Sequence, residues 1–193
     1  MIGTKKLLFV DLDGVIFELV DHFGEYGVSP RTEDEIRLEE GLDDILNLLV
    51  GFGYTLVGVT NQPDIARGKI TLEFLGVKHK RLLEKYPQFK EVFVCPHTDS
   101  DLCGCRKPKP GLFAEARRKY GANYGLSWTI GDSRSDIEAG HAVRTKTVLV
   151  QTPWNSESTV PVLGYVTAVV KSAYGAFSLI LACEMNKKNK DDV

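Results

Sequence analysis

The chain has 193 residues, 43% of them hydrophobic, which suffices for one domain spanning 1–193 with its own core, and it carries neither repeats nor low-complexity tracts. Its net charge of -2 and pI near 6.1 give no basic field for nucleic acid or anionic lipid, so small anionic ligands at a local patch remain. No apolar run approaches the roughly 20 residues of a membrane span, and the N-terminus opens directly into a strand rather than a signal-peptide core; a cytoplasmic protein is expected.

The first predicted element is an apolar run from Lys6 to Val10 that ends in Asp11-Leu12-Asp13-Gly14. A buried parallel strand delivers charged groups to the carboxyl edge of its sheet in this way, and open α/β sheets place their chemistry at that edge. Period-2 geometry puts Asp11 and Asp13 on one side, where like charges repel unless a cation or basic group lies between them. Asp and Gly also form ordinary solvated turns, so this stretch alone leaves both readings open.

Residues 14–30 mix apolar and acidic residues with three helix breakers, Gly24, Gly27 and Pro30, which predicts a loop or flap over the strand edge, too short for a separate cap domain. A helix follows at 41–50 with glycine stops at Gly51 and Gly53, then a strand at 54–59 that delivers Thr60, Asn61 and Gln62 to the same edge, ahead of Pro63. The pattern at 70–86 predicts an amphipathic helix capped by Thr71, with Lys78, Lys80, Arg81 and Lys85 as its solvated face. A short strand at 91–94 runs into Cys95-Pro96-His97, and a helix at 110–120 starts with proline in its first turn and stops at Gly121. The strand at 126–130 leads into Gly131-Asp132-Ser133-Arg134-Ser135-Asp136. A short helix (137–142), a strand (147–150), an edge strand (166–170), a last helix (173–185) and a polar, frayed tail (186–193) complete the chain. Alternating strands and helices give a doubly wound parallel sheet with right-handed crossovers, and four strand ends bring chemistry to one edge.

Assembled there are Asp11, Asp13, Thr60, Asn61, Lys107 and Asp132, flanked by Arg106, Ser133, Arg134 and Asp136. Carboxylates hold a hard divalent cation, amides and hydroxyls donate to phosphate oxygens, and lysine neutralises charge on a transferring phosphoryl group, so the set predicts phosphoryl transfer. One aspartate attacks phosphorus; its neighbour two residues on protonates the leaving alcohol and later activates water. Separately, three of the four cysteines, Cys95, Cys103 and Cys105, lie near His97, and three thiolates with one imidazole complete a closed tetrahedral zinc site that organises a loop.

Val10-Asp11-Leu12-Asp13-Gly14-Val15, Val59-Thr60-Asn61-Gln62, Arg106-Lys107-Pro108 and the run from Gly131 to Asp136 resemble the four ordered motifs of the haloacid dehalogenase superfamily of phosphatases. The resemblance implies a Rossmann-like fold without a large cap domain, Asp11 as nucleophile, Asp13 as general acid and base, Thr60, Asn61 and Gln62 with Arg106 and Lys107 at the phosphate, and Mg²⁺ held by Asp11, the Asp13 carbonyl and Asp132. Thr60 through Gly68, together with Cys95-Pro96-His97 and Cys103-Gly104-Cys105, resembles the subgroup of heptose bisphosphate and histidinol-phosphate phosphatases. In that subgroup such a loop, here 95–109, binds structural zinc, and Cys105 directly before Arg106-Lys107 would fix the lysine that meets phosphate. Two residues depart from the pattern: Leu12 stands where relatives commonly have arginine, and Ser133 where they often have lysine.

The expected function is hydrolysis of a small phosphomonoester, a heptose bisphosphate first and histidinol phosphate second, by a monomer that binds neither nucleic acid nor membrane. A polynucleotide phosphatase is disfavoured by the lack of basic excess, and an idle phosphate-binding module by the intact nucleophile. His22, His79, His141 and Cys183 are read as packing or surface residues. Arg67 is a candidate substrate contact, and Trp154, Phe17, Phe23 and Tyr26 are read as packing residues that could also line the mouth.

Overall fold

The computed structural model describes residues 5–155 and 164–191. Its centre is a six-stranded sheet built from β1 (Lys6–Val10), β4 (Tyr54–Asn61), β5 (Phe89–Cys95), β6 (Trp128–Gly131), β7 (Lys146–Val150) and β8 (Ala168–Val170). The spatial order is β5-β4-β1-β6-β7-β8, and every neighbouring pair is parallel. Leu8 and Val10 face one core, which includes residues of helices α1 (Asp43–Gly51) and α6 (Ala173–Asp191) and of α3 (Leu72–Lys85). Leu7 and Phe9 face the other, against α4 (Gly111–Tyr120) and the Ala139 turn of α5 (Arg134–Ala142). Burial on both faces explains why β1 reads as a continuous apolar run rather than an alternating one.

The chain leaves β1 toward β4 and leaves β6 toward β7, so the strand order reverses between β1 and β6. A crevice opens at the carboxyl ends of strands at such a switch point. Asp11 emerges from one of these two strands and Asp132 from the other.

Local chemistry sets the remaining elements. Thr71 caps α3 by accepting from the Phe74 amide at 3.1 Å, and Gly121 ends α4 at φ +67°. Helix α5 begins three residues earlier than the apolar pattern suggests, because Ser133 and Asp136 form a reciprocal capping box. A four-residue helix α2 (Pro63–Ala66) occupies what reads as loop. The segment after Gly14 contains an antiparallel hairpin, β2 (Val20–His22) with β3 (Glu25–Val28), pinned where Tyr26 stacks on Trp154 at 6.2 Å between ring centroids. The polar C-terminal residues, expected to fray, continue α6 to Asp191. No helix among the described residues is long and apolar enough to cross a membrane.

Candidate active site

Asp11 follows β1 directly, with its amide bonded to the Ile130 carbonyl at 2.8 Å, so the two central strands fix its backbone. Its Oδ1 accepts from Lys107 Nζ at 2.6 Å. Lys107 also donates to the Val59 carbonyl at 2.7 Å and to Asp136 Oδ1, and it is buried throughout. Burial works against its charge, but Asp11 and Asp136 outweigh that and hold its pKa above the ordinary lysine value.

Carboxylate oxygens of Asp11, Asp132 and Asp136 converge within 4.8 Å of one another. Burial, then the Asp136 charge, pushes the Asp11 carboxyl up to about 7 against the pull of Lys107. Asp132 is likewise raised well above the carboxylate range by burial and by Asp11 and Asp136. Three carboxylates against one ammonium leave two uncompensated charges, which fits a hard divalent cation with oxygen ligands. Two glycines permit the approach. A Cβ on Gly14, whose φ is +84°, would lie 2.2 Å from Asp132 Oδ2, and one on Gly131 would lie 2.2 Å from the Asp136 Cβ. Asn155 donates to the Asp132 carbonyl at 2.6 Å and to the Val150 carbonyl at 2.8 Å, tying the backbone of Asp132 to the end of β7.

The Asp13 carboxylate turns elsewhere. Gln62 donates to its Oδ2 at 2.7 Å and Lys78 Nζ donates to its Oδ1. Burial opposes ionisation there, but Lys78 and then Gln62 outweigh it and hold the carboxyl below its usual range. Lys78 corrects the expectation of a solvated helix face: it is 0% exposed, and its ammonium stands 4.8 Å from the Phe17 ring centroid. Lys80, Arg81 and Lys85 do lie at the surface, in ion pairs with Glu84, Glu33 and Glu40.

The polar groups after β4 divide their work differently from the expectation that all three meet phosphate. Thr60 is buried at the centre and accepts from Gln62 Nε2 at 2.9 Å, which leaves its own hydroxyl proton to donate. Gln62 is committed to Thr60 and Asp13. Asn61 clamps the Lys107 peptide, accepting from its N–H at 3.0 Å and donating to its carbonyl at 3.1 Å. Arg106 pairs with Asp99 through Nε at 2.7 Å while lining a cavity of about 390 Å³ that reaches Asp13 and Asp132. Arg31, Arg67 and Lys69 line the same cavity, each paired to Glu25 or Asp64. Arg134 lies apart, paired with Glu138 on the helix surface. Leu12 is wholly buried in the core with Val15, Ile16 and Phe17, so an apolar side chain is what its place requires. Of the aromatics read as packing residues that could line the mouth, Phe17 is in the core, Phe23 is fully exposed, and Tyr26 and Trp154 stack on each other.

Cys95 closes β5, and its Sγ lies 3.6 Å from Cys103 Sγ, 3.2 Å from Cys105 Sγ and 3.6 Å from His97 Nδ1. Zn–S bonds of about 2.3 Å in a tetrahedron place sulfurs about 3.7 Å apart, so the four donors stand close to the spacing zinc requires. Cys105 directly precedes Arg106 and Lys107, which joins this cluster to the lysine at Asp11.

The HAD-hydrolase-like family profile matches residues 104–170. The chain is 36% identical over 151 residues to a D-glycero-beta-D-manno-heptose-1,7-bisphosphate 7-phosphatase of Neisseria meningitidis, covering 76% of this chain and 78% of that protein. It is 34% identical over 138 residues to the histidine biosynthesis bifunctional protein HisB of Legionella pneumophila, covering 69% of this chain but 38% of that protein. The crystal structure of D,D-heptose 1,7-bisphosphate phosphatase from B. bronchiseptica, complexed with magnesium and phosphate, superposes with a TM-score of 0.79 at 27% identity, covering 92% of this chain and 98% of that one.

Proposed function

The chain belongs to the haloacid dehalogenase superfamily of phosphatases, and on that premise we propose that it is a magnesium-dependent phosphomonoester hydrolase acting on D-glycero-beta-D-manno-heptose 1,7-bisphosphate. The observation that carries the reading is the buried Lys107 bridging Asp11 and Asp136 beside Asp132, a nucleophile and a cation site built together.

In this reading Asp11, the Asp13 carbonyl and Asp132 would hold the magnesium, with Asp136 behind them on Lys107 and Ser133, and the bound ion would neutralise charge on the phosphoryl group and orient it. An Asp11 carboxylate oxygen attacks phosphorus, and the bond from phosphorus to the sugar oxygen breaks. The incoming phosphate dianion raises the proton affinity of Asp13, which gives a proton to the departing sugar oxygen. Asp13 then takes a proton from water as the water oxygen attacks phosphorus, and the bond to Asp11 breaks to release inorganic phosphate. Thr60 donates its hydroxyl to a phosphate oxygen, and Lys107 offsets charge at Asp11 and on the phosphoryl group. Arg31, Arg67, Lys69 and Arg106 line the cavity, each already paired with Glu25, Asp64 or Asp99, so a second phosphate on the substrate would compete with those carboxylates for their donors. Cys95, His97, Cys103 and Cys105 would hold a structural zinc with no open position. One domain over 1–193, a monomer, a cytoplasmic location and no nucleic-acid partner belong to the same proposal.

Phosphate release from a panel of sugar and amino-alcohol phosphates with Mg²⁺ tests it. The heptose bisphosphate should be preferred, and Asp11→Asn should lose at least about 10³-fold in turnover. Preference for histidinol phosphate would select the other branch of the subgroup. No turnover of any ester would return the idle binding module, and undiminished turnover in Asp11→Asn would exclude an aspartyl phosphate.

A further inference from the structure

Lys78 belongs to none of the sequence motifs at the sheet edge, yet it is among the largest wholly buried side chains of the protein. It projects from α3 beneath the flap, and its ammonium is bonded to Asp13 Oδ1. Burying an ammonium is costly unless it is paired and hydrogen-bonded, and among the described residues Asp13 is its only carboxylate partner within ion-pair distance. Gln62 holds the other Asp13 oxygen, so the carboxylate is gripped at both ends, whereas the carboxylates of Asp11, Asp132 and Asp136 converge on a separate point.

We propose that Lys78 is a positioning residue for Asp13: with Gln62 it holds the carboxylate on the leaving-group side of the site, apart from the three carboxylates that converge. The proposal rests on the phosphatase reading above. In the step concerned, the phosphorus–oxygen bond to the alcohol breaks as Asp11 bonds to phosphorus, and the proton that Asp13 takes up when the phosphate dianion binds beside it passes to the departing oxygen. An alkoxide needs that proton; a p-nitrophenolate leaves without it. Because kcat/KM reports only the steps through this first transfer, the two leaving groups separate a fault at Asp13 from general damage.

Lys78→Met keeps the unbranched stem and removes the charge. The expected result is a loss of about 10²-fold in kcat/KM on a primary sugar phosphate, with p-nitrophenyl phosphate within about 3-fold of the parent and partial recovery in Lys78→Arg. In an Asp13→Asn background, Lys78→Met should cause no further loss on the sugar phosphate. Equal losses on both esters, or a further drop in the double variant, would overturn the proposal. If circular dichroism shows Lys78→Met unfolded, the double variant, which removes both charges of the buried pair, carries the test against Asp13→Asn alone. Hydrolysis of both esters by the parent and of neither by Asp11→Asn tests the phosphatase reading independently, so a failure in the Lys78 series then concerns Lys78 only.

Discussion

Among single residues, what was legible is Asp11, Asp13 and Asp132 just beyond strand ends and Lys107 in the loop after β5, since buried parallel strands have few reasons to end in charge. What was not legible is which groups touch. Lys78 occupies the stripe that carries Leu75 and Leu82, and a lysine at that spacing on an apolar face was a readable sign of a buried partner. Its partner Asp13 lies 65 residues away, and only the tertiary fold supplies that contact. His79 beside it has an unbonded Nε2, and burial, then Lys78, pulls its pKa down to about 4 from 6.5. The fold therefore keeps His79 neutral while the unfolded chain protonates it, so stability falls as pH drops from 6.5 through 4. Allowing for its partial exposure, His79→Gln should remove about 2 kcal/mol of acid sensitivity, read from urea midpoints against pH. Asp11 shows the opposite sign. With its carboxyl pushed up to about 7, the metal-free fold binds the proton more tightly than the unfolded chain, and Asp11 makes that fold less stable as pH rises from 4 to 7. Magnesium must displace this proton below pH 7, so the rise in Tm on adding Mg²⁺ should be larger at pH 8 than at pH 5.5.

Local sequence specified most of the strands and helices because caps, glycine stops and apolar periods agree with one another along the chain. The exceptions differ in cause: the capping box lengthens α5 at its start, whereas the hairpin after Gly14 packs through Tyr26 stacked on Trp154, a pairing that no local pattern encodes. The cysteine loop is the element whose spacing was most informative, and its geometry brings Cys105 within 3.6 Å of two thiols and the His97 ring. If zinc organises it, Cys105→Ser should lower the zinc content from about one per chain, reduce Tm, and cut turnover by releasing Lys107 from its clamp. Full turnover in a zinc-depleted variant would show that Asn61 alone suffices to place that lysine.

For the whole molecule, the parallel doubly wound architecture follows from strand and helix alternation, but the strand order does not. The reversal between β1 and β6 is what brings Asp11 and Asp132 together across 121 positions of sequence. In the proposed reading that crevice serves two functions, cation binding around Asp11 and Asp132 and proton transfer at Asp13, whose carboxylate Gln62 and Lys78 hold. The central claim is that Asp11 bonds to phosphorus during turnover. Acid-quenched single turnover followed by peptide mass spectrometry tests it most directly: the account predicts a transient phosphate on the peptide containing Asp11, absent in Asp11→Asn. Complete hydrolysis in the quenched single turnover with no phosphate on that peptide at any time would contradict it.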